Sequence, residues 1–263
     1  MTGKLTRYLL FTLAAPLASF GTVAVGERRP TWDRPSKSLI IGLVAGCLGI
    51  ERHEEVRQRD LAGSLGFAVR VDNPGQLATD YHTAQAAKEV SIRKRIKAGG
   101  RVATRADELA CDDLKTILSR REYRIGGLFT IALWKSSARS ASLDEIAQAL
   151  ATPIFVPFAG RKSHALALPL APRIVTVSHI EQAFDRFDAE EPAAVRSLRR
   201  THWTPARDDA PIYVDAYAIP LAQREQRVSR LEQRRDNPES RAKWRFELRS
   251  EALLKPVRME GKA

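Results

Sequence analysis

Cysteine is nearly absent: Cys47 and Cys111 are the only two in 263 residues, far apart and in neither a CxxC nor a Cys/His ligand spacing. That pattern speaks against a structural zinc site. Cys47, inside an apolar run, reads as a small buried hydrophobe, and a reduced, cytoplasmic chain fits such sparse usage. Long apolar runs are missing as well. No stretch reaches the roughly 18–20 residues of a membrane span, and the run from Leu39 to Ile50 is short and bracketed by Lys37 and Glu51. Gly21 and Gly26 have P-loop spacing, but Glu27 stands where the lysine belongs, so there is no Walker motif. A GxSxG elbow, an HExxH helix and a defensible carboxylate pair are absent too, as are repeats and low-complexity tracts. Neither cofactor nor metal is expected.

What the chain has in excess is positive charge. Its 43 Lys and Arg outnumber 31 Asp and Glu, a net charge of +12. That surplus calls for a polyanionic partner, nucleic acid or an anionic membrane surface. The length suits one large domain, or a domain with appendages, with a sizeable core.

The N-terminus permits two readings. Lys4 and Arg7 followed by YLLFTLAAPLASFG imitate a secretory signal. Alternatively, Tyr8 to Ala14 is a first buried strand, broken by Pro16 and turned at Gly21. A loop with Arg28 and Arg29 follows, then a helix at about 36–49. SLGFAVRVD (64–72) alternates as a strand ending at Asn73-Pro74-Gly75. GLFTIALW (127–134) is a more buried strand, and SLDEIAQAL (142–150) a helix whose Ser142 and Glu145 form a capping box. The order predicts an α+β, ferredoxin-like βαββαβ core, as in RNA-recognition domains. Its last strand is either 173–178 or 212–219. From Gln223 onward the chain is arginine-rich and reads as a solvated helix or basic extension, interrupted at Asn237-Pro238, with KWRFELRS (243–250) able to return as an edge strand.

Three segments carry candidate chemistry. Ser36, Lys37 and Ser38 open the first helix, where unpaired N–H groups and the helix dipole favour a phosphate; an ordinary serine cap is the plainer reading. Between the second and third strands, residues 79–124 hold Lys88, Arg93, Lys94, Arg95, Lys97, Arg101 and Arg105, either a basic arm for a phosphate backbone or a solvated charged loop. Gly160 precedes Arg161, Lys162 and Ser163, a flexible turn presenting two cations and a hydroxyl. His82 and His164, with Tyr81 and Lys162, could instead supply the acid and base of a metal-free ribonuclease, although such residues serve binding as readily.

Taken in order, ERRPTWDRPSKSLIIGLVAGCLGIER, VRVDNPG, DYHT, REY before FTIALW, and PFAGRKS with PL resemble the CasD family of type I-E CRISPR Cascade subunits, in the RAMP superfamily. The resemblance runs from about residue 7 to 170 and weakens afterwards. It implies a ferredoxin-like core with a long thumb between the second and third strands, falling on 79–124, a RAMP domain over 1–222 and a basic C-terminal extension over 223–263. It further implies a noncatalytic subunit that caps the 5′ handle of CRISPR RNA beside a CasC backbone subunit and the large CasA subunit, within a complex that recognises target DNA by guide pairing. The RNA-binding residues it implies are Arg28, Arg29, Ser36, Lys37, Ser38, Tyr81, His82, Lys94, Arg95, Arg121, Arg161, Lys162 and Ser163. Subtype I-C relatives, which process repeat RNA themselves, are the alternative. Two departures stand out: Ser19-Phe20-Gly21 replaces a frequent tryptophan-containing turn, and His164 a common cysteine.

Overall fold

The computed structural model describes residues 5–203 and 209–256; Lys4 lies outside them. Tyr8 to Ala14 belongs to a strand, β1 (Thr6–Ala18), buried from Tyr8 to Ala15. Pro16 does not break it. That residue sits between the pairings of Ala15 with Gly127 and Leu17 with Ile125, past the end of the ladder on the other side, so its missing N–H leaves no partner unsatisfied.

The chain continues through β2 (Arg28–Arg29), α1 (Lys37–Cys47), α2 (Glu55–Ser64), β3 (Leu65–Asn73), β4 (Gln76–Ala87), α3 (Glu89–Lys97), α4 (Arg105–Leu109) and β5 (Leu114–Lys135). After α5 (Leu143–Ala151) come β6 (Arg173–Val177), α6 (Ile180–Ala189), α7 (Ala193–His202), β7 (Ile212–Asp215), α8 (Leu221–Arg227), β8 (Val228–Ser240) and β9 (Arg245–Leu254). The result is an α+β fold around one sheet of order β6-β1-β5-β3-β7-β9-β8, with antiparallel neighbours along that path. Both candidates for the last strand are strands: 173–177 flanks β1 and 212–215 flanks β3.

Strand alternation sends Leu9, Phe11 and Leu13 to one face, where α1, α2 and α5 contribute Ile40, Val44, Leu61, Ile146 and Leu150. Leu10, Ala68, Ala132 and Trp134 face the other way, against Phe184 and Phe187 of α6. Burying such a side chain stabilises by about 1.5–3 kcal/mol, so both faces of the sheet are tied to the core. Helix α5 begins with the Ser142–Glu145 capping box that the sequence spells out.

Two regions depart from the sequence reading. Residues 76–87 and 114–125 form a long antiparallel ribbon, with α3 and α4 beyond its far end, so the expected arm is built of regular strands and helices rather than an irregular loop. Residues 228–240 are a strand rather than a solvated helix, and β9 lies between β7 and β8 rather than at the edge. Asn237-Pro238 produces irregular register in β8 without ending it.

The buried positions of β8 are Arg234, Asp236 and Pro238, and the first two join a buried ionic network. Arg34 reaches Glu251 at 2.7 and 3.0 Å and also bonds Glu232. Arg249 forks onto Asp236 at 2.9 Å, with further bonds to Asp215 at 2.9 Å and Glu251 at 2.7 Å. Arg234 Nη1 reaches Glu251 at 3.3 Å. Burial would push the Glu251 carboxyl up, but Arg234, Arg249 and Arg34 hold it below its usual value.

A carboxyl depressed in the folded state contributes stability above its unfolded value, near 4.3, and loses it as pH falls through the folded one. Glu251→Gln leaves buried guanidinium charge uncompensated and should destabilise the fold at pH 7 by about 3–5 kcal/mol. The gap to the unaltered protein should narrow at pH 3, as urea unfolding at both pH values would measure. A gap that is constant with pH would contradict the network's role.

Candidate nucleic-acid interface

Helix α1 begins as Ser36 dictates: the serine is extended (φ −86°, ψ 152°) and its hydroxyl accepts the Leu39 N–H at 3.2 Å. The anion at this helix start is already supplied. Asp236 Oδ2 accepts the Lys37 N–H at 2.9 Å, while Lys37 Nζ is buried against Asp215 at 3.0 Å. Lys37 is therefore an internal ion-pair residue, which corrects its expected contact with phosphate. Ser38 lines a cleft and is half-buried, whereas Ser36 is buried in the wall behind it, its hydroxyl 3.0 Å from that of Ser38.

This cleft, about 1890 Å³, runs between α1, the segment 155–162 and the β8–β9 hairpin. It brings Ser36 and Ser38 to the same depression as Arg161 and Lys162, and adds Arg235, Arg241 and Arg245, which the sequence reading missed. Ser163 is exposed in the same turn as Lys162. The turn is fixed by Gly160 at φ +92°, where a Cβ would stand 1.9 Å from the Ser19 carbonyl oxygen. Ser19 N–H in turn donates to Ala159 O at 3.1 Å. Phe20 is buried, edge-on to Phe129 at 5.1 Å, so it packs the loop and offers no surface for a base.

A second group of predicted residues gathers on the ribbon. Arg28 and Arg29 lie in parallel register beside Arg120 and Arg121, and Tyr81 is opposite Arg120. Four arginines on adjacent strands repel one another unless anions lie between them. Glu122 supplies one, accepting from Arg28 at 3.3 Å. His82 contacts Asp80 at 2.6 Å and the Tyr123 hydroxyl at 3.1 Å. Arg161 donates to that hydroxyl at 2.9 Å, so Tyr123 couples the ribbon to the cleft. His164 is buried, with its Nδ1 3.3 Å from Ala159 O, and burial holds its pKa down.

Tyr81 and His82 are consecutive on β4 and point to opposite faces of the ribbon. That separates Tyr81 from His82, two of the four residues read as a ribonuclease's acid and base. Lys94 and Arg95 sit on α3, away from the cleft: Lys94 pairs with Asp112 at 3.3 Å, and Arg95 donates to Ala110 O at 2.8 Å. Arg95 is half-buried and helps build the tip, contrary to its reading as a free surface cation.

A model of the family described as CRISPR-associated protein (Cas_Cas5) matches residues 8–250. The CRISPR system Cascade subunit CasD of Escherichia coli (strain K12) is 30% identical over 171 residues, 62% of this chain and 69% of that protein. A solved chain from a CRISPR RNA-guided surveillance complex superposes with a TM-score of 0.57 at 24% identity, covering 95% of this chain and 91% of its own. Another, described as a crystal structure of Cas protein, gives 0.55 at 24% identity, covering 95% of each chain. At that identity the two structures speak for the fold alone.

Gly160→Ala places a methyl group against a carbonyl in a backbone conformation that alanine avoids. It should cost about 1–3 kcal/mol from the backbone alone and lower the melting temperature by several degrees. An unchanged melting temperature would show that the turn shifts freely.

Proposed function

The chain belongs to the family of CRISPR-associated protein (Cas_Cas5), and we propose that it is the noncatalytic, RNA-holding subunit of a Cascade-type complex, seated on the 5′ handle of a CRISPR RNA. In this reading it joins a CasC-like backbone subunit to a CasA-like large subunit, and target DNA is recognised by guide pairing in the assembled complex. The strands β6-β1-β5-β3 with α1 and α5 are its ferredoxin-like core, and the ribbon 76–125 with α3 and α4 is its thumb.

The observation that carries the reading is the cleft, whose lining includes Arg161, Lys162 and Arg235 together with Ser36 and Ser38. Cations and hydroxyls in one groove suit a phosphodiester backbone. The alternative sheet-face platform of RNA-recognition domains is occupied here by α6. With a net charge of +12, long-range attraction favours the same partner.

Single-stranded RNA carrying the repeat-derived handle should bind the purified chain with steep salt dependence. Reversing Arg161 and Lys162 to glutamate should weaken binding at least tenfold and flatten the slope by about 1.4, at roughly 0.7 for each phosphate no longer neutralised. The RNA should remain intact on a denaturing gel. A salt-independent affinity would contradict the reading, and site-specific cleavage lost in Tyr81→Phe or His82→Ala would replace it with a repeat-processing ribonuclease.

A further inference from the structure

Where α1 meets the hairpin, the cleft holds two arginines with no carboxylate of the described residues in ion-pair range, although Glu51, Glu239 and Glu247 also belong to its lining. Arg241, after β8, is folded in against α1: it donates to Ser38 O, and its guanidinium occupies the space that a side chain at position 42 would need. Arg52, in the loop after α1, donates from Nε to Arg241 O at 3.2 Å. Among the described residues, no ion pair joins either guanidinium to a carboxylate. Burial and the neighbouring Arg52 pull the Arg241 pKa down to about 10, as befits a charge that lacks compensation. Two adjacent cations held without an acid make a place for an anion.

Beside them lies an aromatic surface. Trp244 closes the β8–β9 hairpin at φ +50°, an unusual conformation for a bulky side chain. Its indole lines the cleft, stays 59% exposed and is braced by the Arg52 guanidinium, 4.1 Å from the ring centroid. Phe246 lies 6.2 Å away, tilted by 42°. A strained backbone that holds an aromatic ring out into a cleft is a device for presenting that ring. Burying it against its own chain would have been the more stable use of an indole.

The geometry points to a nucleotide subsite made by Arg52, Arg241 and Trp244, in which the two arginines take a phosphodiester and the indole stacks on the adjoining unpaired base of single-stranded RNA. This rests on the RNA-holding reading and extends the bound strand from Arg161 and Lys162 to the hairpin tip. Stacking on an exposed indole is tolerant of base identity, so the subsite adds affinity and fixes strand position rather than reading sequence.

The test compares the unaltered chain with Trp244→Ala, Trp244→Phe and Arg52→Gln, all at exposed positions and each checked for an unchanged melting temperature. Handle RNA carrying 5-iodouridine is used for binding, fluorescence and photocrosslinking. Trp244→Ala should weaken binding about tenfold with its salt slope unchanged, whereas Arg52→Gln should weaken it and flatten the slope. Quenching of tryptophan fluorescence by RNA should diminish in Trp244→Phe, and the crosslinked peptide should contain Trp244. If the unaltered chain binds no RNA, the functional reading falls and the subsite with it. If binding persists with full affinity in Trp244→Ala and Arg52→Gln and the crosslink lies elsewhere, the subsite alone is overturned. Loss of a copurifying protein subunit in those variants, with RNA affinity intact, would likewise overturn it and assign the tip to a protein partner.

Discussion

The ion network among Arg34, Lys37, Arg234 and Arg249 on one side and Asp215, Asp236 and Glu251 on the other is what makes the cleft a fixed shape. Each carboxylate serves more than one element. Asp236 accepts both the first N–H of α1 and the Arg249 fork, and Asp215 accepts Lys37, Arg249 and the Phe67 N–H of β3. The helix on one wall and the hairpin on the other are therefore positioned by the same atoms. An apolar interface of the same area would hold them together with less constraint on angle, since hydrophobic contact is non-directional.

That network also explains what the sequence could and could not tell. β1, β3, α1 and α5 were legible because their apolar spacing or capping residues match the elements they form, as Leu9, Phe11 and Leu13 and the Ser142–Glu145 pair illustrate. β8 was not, because its buried positions are Arg234, Asp236 and Pro238, so the period of two is written in charge and a proline and reads as a solvated surface. β4 and the outer half of β5 were missed for a different reason. They form a ribbon with no core behind most of its length, so few of their positions need to be apolar.

Of the residues that line the cleft, the turn after Gly160 and the two serines stood out in the sequence by residue type. Lys37 was misplaced because a helix start looks the same whether its anion comes from outside or from the chain itself. The carboxylate that fills it, Asp236, is almost two hundred positions further on. Arg241 stood out only as part of an arginine-rich extension, and Trp244 and Arg245 only as part of KWRFELRS; neither pattern points to α1, because only the pairing of β8 with β9 brings them there.

The 217-residue separation between Arg34 and its partner Glu251 has a consequence for synthesis. The first helix and its serines leave the ribosome long before the hairpin that forms the opposite wall. Contacts of such high sequence separation form slowly, after the costly closure of the intervening chain. During translation, then, the growing chain carries Ser36, Ser38, Arg161 and Lys162 without the surface that faces them, and the complete cleft comes into being only as the last strands pair. Folding order thus acts as a timer: the cleft is walled on both sides only once β8 and β9 have followed.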